Sequence, residues 1–375
     1  MAAERPPLVV GIDGRELQGR PTGTGRYLRN LLRHWRETPD RFVVYFNGPA
    51  PAEPLLSHSR VHVRALGGAP VRGLLWQERR LPTAARGDEL DVFFSPAYSC
   101  PLSLDRPRVT AVHDLSFFSL PQDFPFLDGL RRRFLVARSI AASRFVLACS
   151  RFTSLEIARR FPGSADRVAT VLLGADDDLF PPPPRAEARA RLGVSGPLVL
   201  GVGAILNRRR LPELVRAFAR VRRVFPSALL EVVGENRTHP RVDLEGLARS
   251  HGLEGRVRFA GFVDEAGLAD RYAAADAAVF LSDYEGFGLP AVESAARGIP
   301  VVASREPSLG EVLGDAALLV DPRDESAIAG ALLRVLEDAS VRSDLRARGL
   351  TLASRYSWAE AAARTRDVLH RAAGR

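Results

Sequence analysis

AAVFLSDYEGFGLPAVESAARGIPVVAS, residues 277–304, sets two apolar runs on either side of a segment that cannot be one helix. AAVFLS and IPVVAS are short and nearly continuous in apolar residues, as strands buried on both faces of a parallel sheet must be. Between them Gly286, Gly288 and Pro290 interrupt any helix. Proline suits the first helical position, so a helix is expected to begin at Pro290 and run to Arg297. Strand, loop, helix and strand make one βαβ unit, with Glu285 on the loop and Glu293 in the first helical turn.

The same alternation extends outward in both directions. LVVGID, RFVVYFN, VHVRAL, DVFFS, VTAVHD and FVLACS read as strands in the first half, and PLVLGVGA, ALLEVVG, VRFAGF and AALLV join the two above in the second. Helical spacing appears between them. GRYLRNLLRHW sets Tyr27, Leu28, Leu31, Leu32 and Trp35 on one face, and DGLRRRFLVARSIAAS is expected to bury Leu130, Phe134 and Ile140 in the same way. Phe180 is followed by four prolines, Pro181–Pro184, which cannot continue a helix or a central strand and form a stiff connector. The expected organisation is α/β, with a Rossmann-like domain over 1–184, a second over 185–355, and a terminal helix over 356–375 packing back on the first. Two doubly wound domains should face a central cleft, with ligands outside the carboxyl ends of the strands.

Composition limits the function classes. Of 375 residues, 46% are apolar and 26% charged, the profile of a globular protein, and the length favours two domains. No apolar run is long enough to span a bilayer, and MAAERPPLVVGID lacks the basic region and cleavage site of a signal peptide, so a cytoplasmic location is expected. Cys100 and Cys149 sit in strand-like contexts and are expected to be buried and free. The net charge is +9 and every cation is arginine, for there is no lysine. The arginines are interspersed with glutamates along apparent helices without aromatic alternation, which argues against nucleic acid. Arg131, Arg132 and Arg133, near Phe124 and Phe126, fit either an anionic membrane face or a solvated helix face, the latter being the simpler reading.

Three segments carry candidate chemistry. Around Glu285 and Glu293, Gly286 and Gly288 clear space for main-chain N–H groups to receive an anion at the helix N-terminus. Two carboxylates flanking such a cradle would suit a diphosphate with a sugar on one side and a ribose on the other. The plainer alternative is a dipole-complementing Glu293 and a solvated Glu285. In VGAILNRRRLPEL, Arg208, Arg209 and Arg210 follow a strand, where three arginines opening a helix oppose its dipole unless an anion is near. GRPTGTGRY follows the first strand, and Gly23 and Gly25 would permit close backbone approach there. His113 and Asp114 end the strand VTAVHD.

EGFGLPAVESAARGIPVVAS resembles the E-x7-E signature of the retaining, GT-B-fold glycosyltransferases of the large fourth family, many of them mannosyl- and glucosyltransferases of polysaccharide biosynthesis. The resemblance covers nearly the whole chain. GIDGRELQGRPTGTGRYLRNLL, LLWQERRLP, VTAVHDLSFFSLPQDFP, VGAILNRRRLPELVRAF and RFAGFVDEAGLADRYAAADAAVF match expected segments in the expected order. It implies an N-terminal acceptor-binding domain and a C-terminal nucleotide-sugar domain. It also implies Glu285 on donor-sugar hydroxyls, main-chain amides of Gly286, Phe287, Gly288 and Leu289 on sugar and phosphate, and Glu293 on the ribose. Arg208 and Arg209, with Arg210 a weaker candidate, would hold the diphosphate, arginine standing where the family commonly has lysine. Ala204 stands where some members carry another arginine. Gly23 and Gly25 would lie on the phosphate side, Phe262 and Val263 against the base, and His113 near the reacting sugar carbon. Thr24, Ser95, Tyr98 and Asp114 would line the acceptor side.

The expected activity is metal-independent transfer of a hexose, mannose from GDP-mannose or a glucose-type sugar from a UDP-sugar, to a hydroxyl of a glycan or lipid-linked acceptor. No cofactor and no metal are expected. Asp176–Asp178 lie near the interdomain link, with no D-x-D between a strand and its loop. A nucleotide-sugar epimerase of the same fold and a non-catalytic, membrane-associated binding protein remain alternatives. A nicotinamide enzyme is disfavoured, because GVGAIL holds only Gly201 and Gly203 of the G-x-G-x-x-G fingerprint. A pyridoxal phosphate-dependent phosphorylase is excluded by the absence of lysine.

Overall fold

A computed structural model describes residues 6–20, 22–67, 73–175 and 182–375. Pro181, Phe180 and Asp176–Asp178 lie outside them. The chain divides into two compact units, one of Met1–Phe118, Leu127–Gly174 and Trp358–Arg375, the other of Ser119–Phe126 and Ala175–Ser357.

The first unit holds β1 (Val9–Asp13), β2 (Arg41–Phe46), β3 (Val61–Ala65), β4 (Val92–Ser95), β5 (Arg108–Val112), β6 (Phe145–Ala148) and β7 (Val168–Thr170) in the order β3-β2-β1-β4-β5-β6-β7. Every pairing is parallel. Strand order reverses between β1 and β4, the switch point at which such sheets open a crevice. β7, three residues long, carries no pattern that the sequence could show. The helix Gly23–Trp35 buries Tyr27, Leu28, Leu31, Leu32 and Trp35 as expected, capped by the Thr22 side chain.

The terminal helix Trp358–Ala373 completes this unit. Trp35 Nε1 donates to the Ala362 carbonyl at 2.9 Å, and Arg366 pairs with buried Asp40, whose carboxylate also accepts the Leu8 amide. Gly174 is needed where the chain passes Trp358: a Cβ there would stand 2.3 Å from the Trp358 nitrogen.

The helix Phe126–Ala142 departs from expectation. Its buried face is Gly129, Val136, Ser139 and Ile140, while Leu130 and Phe134 are exposed. The helix has apolar residues on two faces, and spacing alone does not say which faces the core. Cys100 and Cys149 are buried and free. Cys149 directly follows β6, but Cys100 lies in the irregular chain after β4 rather than in a strand.

The second unit holds β8 (Leu198–Val202), β9 (Leu229–Val233), β10 (Val257–Gly261), β11 (Ala277–Phe280), β12 (Val301–Ser304) and β13 (Ala317–Val320), all parallel, in the order β10-β9-β8-β11-β12-β13. Its switch point lies between β8 and β11. Two stretches differ from the sequence-based domains over 1–184 and 185–355. Ala175 already belongs here, its amide donating to the Tyr356 carbonyl, and Ser119–Phe126 groups here because Asp123 lies beside Arg208 and Arg210. Among the described residues no helix is long and apolar enough to cross a membrane.

Candidate active site

The loops leaving β8 and β11 meet at the second sheet's switch point, where the Asp283 amide donates to the Arg208 carbonyl at 2.9 Å. This contact brings Arg208 and Arg209 against Glu285. Arg209 NH1 stands 3.2 Å from Glu285 Oε1, Arg208 Nε 3.7 Å from the same oxygen, and Ser282 Oγ donates to it at 2.9 Å. The Arg209 guanidinium also lies over the Phe280 ring, 4.1 Å from its centre. Glu285 is only 7% exposed, so removing one member would leave a buried charge poorly compensated. The two guanidiniums are suited to bidentate contact with phosphate oxygens.

Arg210 is different. It takes a left-handed conformation (φ 49°) ahead of the helix Leu211–Val224, and its side chain donates to Asp283 at 2.7 Å and to Glu213 at 3.1 Å. The Asp283 hydrogen bond raises its pKa, with burial opposing. The protein's own carboxylates therefore answer its conflict with the helix dipole, and no external anion is required there.

The helix after the glycine loop begins at Leu289, one residue before Pro290, so Glu293 lies in the second turn rather than the first. It is buried and accepts the Tyr272 hydroxyl at 2.9 Å. Gly288 precedes the helix with φ 81°, and a Cβ there would meet Leu309 Cδ2 at 2.3 Å, so geometry and space both demand glycine. Gly286 and Phe287 are buried; the Phe287 ring packs edge-on to Tyr356 with centres 5.4 Å apart, leaving main chain to meet a ligand. Behind this loop, Glu306 Oε2 accepts the Leu309 amide while Oε1 is buried without a hydrogen-bond partner among the described residues. Burial above all, together with Glu285, pushes its pKa up to about 7.

Beyond β9 and β10 a cavity of about 510 Å³ is lined by Gly234, Asn236, Arg241, Glu245, Phe259 and Gly261. Phe262 follows Gly261 and is exposed, with Val263 half-buried beside it. Ala204 adds no charge at the end of β8.

In the first unit, Arg15 pairs with Asp13 at 2.7 Å and donates to Gln77 Oε1 at 3.0 Å, which also accepts from Ser99 Oγ. A cavity of about 330 Å³ opens here, lined among others by Arg15, Gln77, Tyr98, Phe117, Arg131 and Arg132. Tyr98, itself left-handed (φ 56°), donates its hydroxyl to Asp114, and Asp114 accepts from the Ser116 amide and hydroxyl. His113 lies edge-on to Tyr27 and Tyr98, with Nε2 2.7 Å from the Pro96 carbonyl. A carbonyl only accepts, so the proton is on Nε2 and Nδ1 carries the lone pair. Burial lowers the His113 pKa, outweighing the Pro96 carbonyl and Asp114, and keeps the ring neutral.

Two expectations fail in this unit. The Gly25 amide is taken by Thr22 Oγ1 at 3.0 Å, and a Cβ at Gly25 would stand 2.3 Å from the Glu16 carbonyl; this glycine serves helix packing, and its amide is not left for a phosphate. A Cβ at Gly23 would meet no protein atom within 4 Å, and the space over that glycine is open. Ser95 is wholly buried at the end of β4 and lines no accessible surface, while Thr24 is half-buried on the first helical turn.

Sequence reading passed over Ser282, Phe280, Tyr272 and Glu306 around the two glutamates, and Asp13, Arg15 and Gln77 in the first unit. Tyr272 and Glu306 reach the glutamate segment from neighbouring elements, so no local spacing reveals them. Among the described residues no three His, Cys, Asp or Glu side chains are grouped to hold a metal ion.

Residues 185–351 match the family model for glycosyl transferases group 1, and residues 21–179 that for glycosyltransferase family 4. The chain is 33% identical over 290 residues to the O-antigen chain mannosyltransferase B of Escherichia coli, covering 76% of this chain and 75% of that one. It is 34% identical over 285 residues to a D-inositol 3-phosphate glycosyltransferase of Xylanimonas cellulosilytica, covering 72% and 68%. Among solved structures, the sucrose-phosphate synthase of Thermosynechococcus elongatus superposes with a TM-score of 0.79 at 23% identity, over 98% of this chain and 99% of that one. Anabaena HepE in complex with UDP and glucose gives 0.76 at 21% identity, over 96% and 98%. With two parallel, Rossmann-like sheets of the GT-B fold and these relatives, the chain belongs to the family 4 glycosyltransferases.

Proposed function

We propose that this glycosyltransferase is a retaining, metal-independent hexosyltransferase, moving mannose from GDP-mannose to a hydroxyl of a glycan or lipid-linked acceptor at the cytoplasmic side of a membrane. A UDP-hexose is the second choice of donor. The observation that carries the reading is the pair of half-buried guanidiniums, Arg208 and Arg209, held against Glu285 at the switch point of the second sheet. The mannosyltransferase relative supports mannose as the sugar.

Departure of a nucleoside diphosphate develops negative charge on its terminal phosphate. Arg208, Arg209 and the main chain of Gly286–Leu289 are the groups that would stabilise it, each such preorganised donor being worth about 100- to 1,000-fold in rate. Arginine cations would do the neutralising work that a divalent ion does elsewhere. Glu285 would bind sugar hydroxyls and Glu293 the ribose. The acceptor oxygen attacks C1 from the face the diphosphate leaves, the C1–O bond to phosphate breaks, and a phosphate oxygen takes the acceptor proton. His113, neutral with a free lone pair on Nδ1, would stand on the acceptor side.

The test is a panel of nucleotide sugars scored by thermal stabilisation, followed by transfer assays and assignment of the product anomer by NMR. GDP-mannose at about 100 times its Kd should add about 2.7 kcal/mol of stability, a shift of several degrees. Transfer should persist in EDTA with the donor's anomeric configuration kept. Silence across the panel sinks the donor reading, an inverted product sinks retention, and loss of activity in EDTA sinks metal independence.

A further inference from the structure

The outward face of the helix Phe126–Ala142 carries a second apolar surface that the fold does not use. Phe126 and Leu127 are each 75% exposed, Phe134 62% and Leu130 50%. At about 100° per residue, these four fall within an arc of about 100°. The buried residues Gly129, Val136, Ser139 and Ile140 lie on the opposite side. Scattered exposed apolar residues need no explanation, but two phenylalanines and two leucines on one stripe do.

Charge edges the stripe. Arg131 and Arg138, both exposed, project along one edge of the arc by the same helical geometry, while Arg133 at the other edge is half-buried and donates to the Phe117 carbonyl at 3.3 Å. The helix has one acid, Asp128, whose pair with Arg131 spans 3.6 Å between exposed groups and is worth little. Arg131 and Arg132 also line the cavity that holds Tyr98 and Arg15, and Leu74, exposed as well, lines its rim with them.

We infer that this helix lies on an anionic lipid surface, its phenylalanines and leucines entering the acyl boundary and its arginines meeting the headgroups. An apolar arc edged by exposed cations is complementary to an anionic bilayer, which offers hydrocarbon below a negatively charged plane. This goes beyond the transferase reading and does not need it.

The experiment is co-sedimentation of the whole protein with vesicles of phosphatidylglycerol and phosphatidylcholine in equal parts, and with vesicles of phosphatidylcholine alone. Each arginine near an anionic surface adds about 1 kcal/mol, so the two exposed edge arginines give about 30-fold tighter binding to the anionic vesicles, weakened by salt. L127S/F134S, changing exposed positions, should lose at least about tenfold of that binding while its melting temperature and its turnover with a water-soluble acceptor stay unchanged. R131E/R138E should abolish the preference for anionic lipid. Equal binding to both vesicles, no binding, or a wild-type dimer that L127S/F134S dissolves would overturn the inference. None of these readouts measures turnover on the membrane, so their failure leaves the proposed donor and reaction standing.

Discussion

The two units repeat one topology, a parallel sheet with a switch point, yet they furnish the carboxyl ends of their strands differently. In the second unit the half-buried guanidiniums of Arg208 and Arg209 face buried Glu285, to which Ser282 also donates, and Gly288 is fixed by both conformation and space. In the first unit the corresponding ends carry the Arg15–Asp13 pair, whose charges cancel, a neutral histidine and a tyrosine tied to a carboxylate. A charged diphosphate is common to all the proposed donors, whereas acceptors differ among the relatives' names. The contrast teaches that one half is built for a fixed charge and the other for a replaceable shape.

Glu285→Gln tests the contrast hardest. It keeps the side chain's shape and removes the charge that Arg208 and Arg209 face, so transfer should fall about 100-fold or more while the far-ultraviolet circular dichroism spectrum is unchanged. Near-normal turnover would mean that the charged set is structural only.

Glycine replacements come next. Gly288→Ala forces a Cβ into Leu309 at a left-handed position and should cost about 1–3 kcal/mol in denaturant unfolding. Gly23→Ala enters open space and should change stability by less than about 0.5 kcal/mol. Equal effects would erase the distinction between the two glycine-rich turns.

Tyr272→Phe removes the hydroxyl that Glu293 accepts, with an expected loss of about 0.5–1.5 kcal/mol and a raised KM for donor, kcat being less affected. An unchanged KM would detach Glu293 from donor binding.

A separate effect concerns pH. Glu306 has its pKa raised from the ordinary 4.5 to about 7, so its stabilising contribution is full below 4.5 and is lost as pH rises through 7. Glu306→Gln should flatten the stability profile across that window by about 3 kcal/mol. An identical slope in both proteins would contradict the burial of this carboxyl.

Much of this was legible in the sequence because burial on both faces writes itself as continuous apolar runs: VVGID, LVLGV and AAVF are strands as read. Glu285 and the arginines stood out because charge beside glycine after a strand is chemically costly without a purpose. Ser282 and Tyr272 did not, since a hydroxyl becomes a partner only when the chain folds it onto a carboxylate. Gly25 was misread because helix packing and phosphate binding ask for the same residue. The Phe126–Ala142 helix was misread because hydrophobic spacing records an apolar face without recording what covers it.

The helix Trp358–Ala373, bonded through Trp35 and Asp40 into the unit formed by the chain's earliest strands, has a consequence for synthesis. The second unit, apart from Ser119–Phe126, is contiguous from Ala175 to Ser357 and has left the ribosome before that helix does. The order of completion is therefore the reverse of the order of translation: the half begun first must wait, with its Trp35 face open to solvent, until the last helix arrives to cover it.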